Sequence, residues 1–498
     1  MNSNTPYYLG IDIGTTAVKA MIISGVTLLP VSRGCVGYPT KRSGEYVTQS
    51  PSCWRDAAIG AVRKALDDAG KGSEVPGNIC GISVSAQGGA LLAADRRGEA
   101  LCDAISWMDC RAVDESAQMH EHFGEGIYLS SGWRSSPLDC ASKLVWLKKH
   151  DADLFRRADR FMTTADWITG WLCGDPVYDA TSAAITRLFD FRAEKYNTDI
   201  LEYIGISEQR LPRILPCGET AGTLTPEAAG ELGLSSGIPV YVGAHDQYCA
   251  AIGSGVRHPG QLLIATGTAW VLFGVTEEPC FSPLYSAPGR FPELLSSDES
   301  KKYGIMATLS GMGASVERFA SANRYTLREA DIAASGALRS RLGGKLNADR
   351  YLCLTPCEEG RGFLPHRTGT GFSLDLSEGY SFPECYLSLL EGAAFEALTA
   401  ASGFFAGDEP ELIMSGGATK SELWSKVVAS AAKSLGVKFK LTRERDTPAF
   451  GAALIAAKAS GIDISSANVR LENVADDAEY TGYLCKQYPV WKNKILNL

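Results

Sequence analysis

The residues best suited to chemistry lie at the tips of apolar segments. In "LGIDIGTTAVKAMIIS", Leu9 to Ser24, aliphatic residues flank a small hydroxylated turn that carries Asp12, Gly14, Thr15 and Thr16. A turn of Gly and Thr bares N–H groups and hydroxyls, a concave donor surface suited to an anion such as phosphate. Asp12 fits beside an anion if a cation such as Mg²⁺ lies between them; the alternative is an ordinary tight turn with a solvated Asp. Asp246, in "GAHDQ", follows an apolar strand, where a carboxylate can take a proton from a hydroxyl or hold a cation. It can equally cap the helix "QYCAAIGSG". In "ELIMSGGATKSELW", Gly416, Gly417 and Ala418 stand at a strand-to-helix turn, which admits a flat ligand close to the backbone or simply packs tightly.

The elements that must position these residues alternate between strand and helix, which argues for an α/β fold. The opening stretch reads as strands over Tyr7–Ile13 and Ala17–Ile23. Ile79–Asp95 reads as strand, turn, strand, and Ser142–Ala158 as one helix with a basic outer face. A further helix follows in "ADWITGWLCG", and Ile238–Val256 reads as strand, loop and small-residue helix. In "GQLLIATGTAWVLFGV", Gly260 to Val275, an apolar strand again meets a Gly-Thr turn and returns as a strand. Set beside the first hairpin, Gly14-Thr15 falls on Gly267-Thr268, about 250 residues on, the pattern of a duplicated domain or a chance likeness of two glycine turns. Two such domains, 1–248 and 249–498, would offer both turns to one polyphosphate in a shared cleft.

The 498 residues carry 48 Lys and Arg against 57 Asp and Glu, a formal charge of −9, so there is no basic field to attract nucleic acid. No basic leader precedes an apolar core, and no run approaches the ~18 apolar residues of a membrane span, so a cytoplasmic protein without a membrane partner is expected. The 14 cysteines are scattered as small apolar residues of a reducing compartment. The nearest pair, Cys353 and Cys357, lacks a zinc-finger partner. No G-x-x-x-x-G-K-[ST], G-x-G-x-x-G or G-x-S-x-G is present, which disfavours a P-loop enzyme, a nicotinamide dehydrogenase and a hydrolase triad.

Taken in order, "GIDIGTTAVKA", "GISVSAQGGALLAADRRGEAL", "SWMDCRA", "KLVWLKKH", "GAHDQYCAAIGSG", "IATGTAWVLFG", "SGGATKSELWSKVVA" and "AFGAALIA" resemble the FGGY carbohydrate kinases over nearly the whole chain. The resemblance implies two ribonuclease-H-like domains, of the sugar kinase, heat-shock ATPase and actin type, around a central ATP and sugar cleft. It implies a first phosphate loop at Gly14, Thr15 and Thr16 with Lys19 on the second strand, and a second loop at Thr266, Gly267 and Thr268. Gly416, Gly417 and Ala418 would line the adenine and ribose site, and Asp12 and Asp246 would serve Mg²⁺. Asp246 matches the general base, and Gln87, Gly88, Gly89, Gln247 and Trp270 match substrate positions.

Gly88 and Gly89 stand where xylulokinases carry Met and His, so the expectation is an enlarged pocket without an imidazole. His245, where many members have a small residue, is a substrate contact or a turn residue. "LDCAS" before Lys143 and "LPHRTGTGF" near the C-terminus also depart from the family pattern. The implied activity is transfer of the ATP γ-phosphate to a hydroxyl of a ketopentose such as xylulose, or a related ketose or polyol. The alternative is a sugar- or nucleotide-binding regulator on the same fold. A homodimer is expected on the resemblance alone.

Overall fold

The computed structural model describes residues 5–70, 72–267, 269–282, 286–292, 301–309, 311–342, 379–404, 410–465, 467, 469–475 and 477–496. Thr268, Cys353, Cys357 and the "LPHRTGTGF" segment lie outside the described residues.

Strands β1 (Tyr7–Ile13) and β2 (Ala17–Ser24) form the expected antiparallel hairpin, with Asp12 opposite Lys19. Successive side chains of a strand point to opposite faces. Leu9, Ile11 and Ile13 accordingly enter one apolar core with Trp54, Ala58 and Val62 of helix α1 (Pro51–Asp68). Tyr8, Gly10 and Asp12 turn to the other face, where Tyr8 joins a different core. The remaining strands of this sheet are β3 (Pro30–Gly37), β4 (Ile79–Ala86), β5 (Thr220–Thr223) and β6 (Pro239–Tyr241), in the order β5-β6-β4-β1-β2-β3.

The second sheet holds β7 (Gln261–Thr266), β8 (Trp270–Thr276), β9 (Ser286–Arg290), β10 (Tyr303–Leu309), β11 (Glu411–Gly416), β12 (Lys438–Thr442) and β13 (Leu471–Asn473), in the order β9-β10-β8-β7-β11-β12-β13. Around β7 the neighbours and directions repeat those around β1. The hairpin partner and the strand beyond it are antiparallel, two parallel strands follow on the other side, and an antiparallel strand ends the row. The likeness of the two Gly-Thr turns is therefore a likeness of two whole sheets; β9 is extra. Helices α4 (Phe382–Ala401) and α5 (Glu422–Ser434) cover the outer face of the second sheet.

Two helices, α3 (Asp246–Gly253) and α6 (Thr447–Ala459), share one core with Tyr8 and Met21 of the first sheet and Leu263, Phe273 and Ile413 of the second. Glycines let them come close. A Cβ on Gly451 would lie 1.9 Å from the Cys249 carbonyl oxygen, one on Gly253 2.1 Å from that of Thr447, and one on Gly10 of β1 2.0 Å from that of Ala449. The region read as one helix over Ser142–Ala158 is two, α2 at Cys140–His150 and a short helix at Ala152–Arg157. Asp151 breaks it, because its carboxylate accepts from Leu154 N–H and starts a new helix. Among the described residues no helix is long and apolar enough to cross a membrane, and the cysteines are unbridged.

Candidate active site

The first turn is held from outside by a polar cage. Gly14 N–H closes the turn onto Ala17 O at 3.1 Å, and Tyr38 OH donates to Gly14 O. Trp107 Nε1 donates to Thr15 Oγ1 at 3.1 Å, and Gln49 Nε2 donates to Thr15 O at 2.8 Å. That last bond fixes a relay. A carbonyl only accepts, so Gln49 must donate there and accept with Oε1, which receives Gln87 Nε2 at 2.8 Å. Gln87 Oε1 is left buried with no partner.

Asp12 is 2% exposed, accepts from Ser85 Oγ at 2.9 Å, and lies 3.7 Å from Lys19 Nζ. Burial pushes its carboxyl up to about 6; Lys19 and Ser85 pull it down, while Asp246 and Asp446 push it up. Lys19 also faces Asp446 at 3.8 Å, just before α6. A buried carboxylate with one weakly engaged cation is ready to be recharged by a second positive charge.

Asp246 is the first residue of α3, and the cap position belongs to His245, which makes no side-chain capping bond. The capping alternative for Asp246 therefore does not occur. Its Oδ1 is buried without a hydrogen bond, 3.2 Å from His245 Nε2, and Gln247 Oε1 is buried and unpartnered as well. Ala86 at the end of β4 bridges to His245 in parallel, which brings Gln87 alongside Asp246.

Two substrate expectations need correction. The pocket is not enlarged at Gly88: a Cβ there would fall 2.8 Å from both Cδ2 and Nε2 of His245 and 2.6 Å from Ile185 Cδ1, so an imidazole already occupies that space. Trp270 is 1% exposed and packs on Trp424, ring centroids 5.1 Å apart, in the outer core of the second sheet. That burial is a packing role, with no face left for a sugar. Gly89, with φ of 74°, sits against Trp107, which is 39% exposed.

Thr266, Gly416, Gly417 and Ala418 do come together across the second sheet. Thr266 pairs with Gly416 in the parallel ladder, its Oγ1 donates to Ser415 O at 2.5 Å, and Ala418 N–H donates to Thr266 Oγ1 at 3.1 Å. Gly416 adopts φ of 95°, where a Cβ would strike Thr266 O at 2.4 Å, so the backbone stays bare and exposed. Gly267 is exposed at the second hairpin tip.

Comparison with known proteins decides the family. The N-terminal domain of the FGGY family of carbohydrate kinases matches residues 7–253, and its C-terminal domain matches residues 262–460. The chain belongs to the FGGY family of carbohydrate kinases. The protein is accordingly an ATP-dependent sugar kinase, a phosphotransferase with an alcohol acceptor. It is 27% identical over 462 residues to a xylulose kinase of Staphylococcus xylosus, covering 91% of this chain and 90% of that one. A gluconate kinase and a ligand-bound xylulose kinase, both from Lactobacillus acidophilus, share its fold with TM-scores of 0.82 and 0.81. Each is 21% identical, and each match covers 99% of this chain and 98% of that one. Two acceptors on one fold at equal likeness mean that the fold does not choose the sugar.

Sequence reasoning missed several residues of this FGGY kinase that shape the cleft. Lys143 is fully buried, and its Nζ donates to Leu138 O at 2.6 Å, Ser106 O at 2.8 Å and Gly89 O at 3.2 Å. It thus ties together three loops around Gly89 and Trp107, and burial lowers its ammonium to about 8. Gln49, Tyr38, Ser85 and Asp446 also escaped notice. Only Asp446, in "DTP" ahead of a helix, carried a local signal, that of a helix start.

Proposed function

We propose that this kinase phosphorylates a ketopentose or a closely related ketose or polyol, with D-xylulose the first candidate. The observation that carries the reading is a set of three buried oxygens that accept no hydrogen bond, Gln87 Oε1 and Gln247 Oε1 beside Asp246 Oδ1, the last of which meets only the His245 imidazole at 3.2 Å. Each is an acceptor, and leaving a buried acceptor unpaired costs roughly 1–3 kcal/mol, so the site is matched to a ligand that brings donors. A small polyhydroxylated chain brings hydroxyl donors in a row. The xylulose kinase names among the relatives support the same class.

In this reading Asp246 takes the proton of the acceptor hydroxyl as its oxygen bonds to the γ-phosphorus. The bond from that phosphorus to the bridging oxygen breaks, ADP leaves, and the proton rests on Asp246. Gly14, Thr15 and Thr16, with Lys19, cradle the phosphates from one side, and Thr266 and Gly267 with Thr268 from the other. Gly416, Gly417 and Ala418 receive the adenosine. Alignment and charge stabilisation supply most of such a transfer.

Asp12 fits a Mg²⁺ role: it is buried and has one oxygen on Ser85. Phosphate oxygens and waters would complete the shell of an ion held there. Asp12, with Asp246 on the acceptor side, would hold the ion, which when bound neutralises phosphate charge. Residues 1–248 and 249–498 close on both substrates and exclude water that would otherwise hydrolyse ATP.

The test is a coupled ADP-release assay with Mg-ATP held constant, run over D-xylulose, L-xylulose, D-ribulose, L-ribulose, D-fructose, glycerol and gluconate. A ketopentose should give the highest kcat/KM. A lead by gluconate, or silence across the set, refutes the proposed acceptor class, and a lead by glycerol refutes the ketopentose as its first member.

A further inference from the structure

The residue that governs how Asp246 meets its acceptor is encoded at two positions far apart in the chain. His245 is 5% exposed, and its main chain is held on two sides. Its backbone N–H donates to Thr181 Oγ1 at 2.9 Å, the same stretch of main chain bridges to Ala86, and its ring stands edge-on to buried Tyr248 with centroids 6.4 Å apart. Tyr248 is itself fixed, since its OH donates to Gly289 O at 3.0 Å. The backbone therefore fixes the point from which the imidazole projects, and buried Tyr248 borders the ring. The imidazole projects across Gly88, in the volume that any side chain at position 88 would claim, and its Nε2 lies 3.2 Å from Asp246 Oδ1.

We propose that His245 is the positioning residue for Asp246 and that Gly88 is its steric counterpart, the two sharing one volume in the wall of the acceptor site. The inference rests on the reading of Asp246 as the base. Gly88 does not have a left-handed backbone, so the obstacle to a larger residue there is the imidazole and the tip of Ile185 rather than the main chain. A carboxylate without a hydrogen bond to hold it samples several rotamers, and an imidazole in contact with one oxygen restricts it to those that face the acceptor. A side chain at 88 evicts the imidazole and releases the carboxylate, even though it never touches Asp246.

Four proteins test this: wild type, Gly88→Ala, His245→Ala and the double variant. Each is measured for kcat, for acceptor and Mg-ATP KM with D-xylulose and the rest of the ketopentose set, and for melting temperature without sugar. Gly88→Ala and His245→Ala should each lower kcat at least tenfold while Mg-ATP KM stays within twofold. The double variant should be no slower than the slower single, because the second change removes a group already displaced. The melting temperature lost in the double variant should be clearly less than the sum of the single losses, because the methyl then meets only the movable tip of Ile185 and enters part of the space the ring has left. Wild-type kinetics in His245→Ala, or single effects that multiply in the double variant, overturn the proposal. Wild-type silence with every sugar instead refutes the acceptor reading. The melting series still decides the steric pairing then, and additive melting losses overturn it.

Discussion

Replacing Gly451 by Ala sets two known effects against each other, and the structure says which wins. Alanine in a helix interior is favoured over glycine by about 0.5–1 kcal/mol, so propensity alone predicts a stabilised α6. The new Cβ, however, would lie 1.9 Å from the Cys249 carbonyl oxygen and 2.7 Å from its carbon. A carbon approaches a carbonyl oxygen no closer than about 3.3 Å, so α3 and α6 must part by about 1.4 Å at this point. Both contacting atoms are backbone, and no rotamer relieves the overlap. Overpacking of this kind destabilises by about 1–3 kcal/mol, and here it also loosens the approaches at Gly253 and Gly10. The expected net is a loss of about 1–2 kcal/mol, read as a lower urea midpoint at unchanged slope. Because Asp246 begins α3, kcat should fall as well. A variant as stable as wild type, with unchanged kcat, would show that the helix spacing is not set at Gly451 and would refute the reasoning.

Two further outcomes are expected. Asp246→Asn keeps the shape of the side chain but cannot take a proton; turnover should fall about 10²–10⁴-fold with nucleotide affinity retained, and near-normal turnover excludes the base role. Lys143→Met removes three hydrogen bonds to loop carbonyls and should lower kcat/KM for the acceptor. It also removes a pH dependence. The folded ammonium titrates at about 8 against an ordinary 10.5, so below about pH 8 wild type carries a burial penalty of about 3 kcal/mol. Between about pH 8 and 10.5 the unfolded chain still binds that proton and the folded one does not, so wild type gains stability relative to Lys143→Met over this window. Parallel stability curves for the two proteins from pH 7 to 10 would show that Lys143 is not buried as a charge.

What the sequence made legible was local. The hairpin at Tyr7–Ser24 is written in alternation of aliphatic residues around Gly14, and its second appearance at Gln261–Thr276 needs no knowledge of the intervening chain. Asp246 stood out because an apolar strand ended just before it. What stayed hidden depends on contacts between distant segments. The removal of side chains at Gly88 looked like added space until His245 was seen to fill it. Lys143 lay in a segment whose lysines read as a basic outer face, yet it is among the most buried charges of the described residues, since its partners are carbonyls on three separate loops. Trp270 matched a family position by order along the chain, but alternation along β8 turns its ring toward Trp424.

The placement of α6 has a consequence for how the chain is made. The inner face of the first sheet, complete in its strands by Tyr241, is covered by residues 447–459, which are made long after those strands. Until then Gly10 and Tyr8 have no helix to meet, and a nascent chain of even 440 residues carries a sheet with one face bare. Such a chain is exposed to aggregation during synthesis, so chaperone demand should be set by the time needed to translate the second half rather than by the stability of the first. A stop codon ahead of Thr447 would therefore damage a sheet whose strands were all made by Tyr241, by removing its cover.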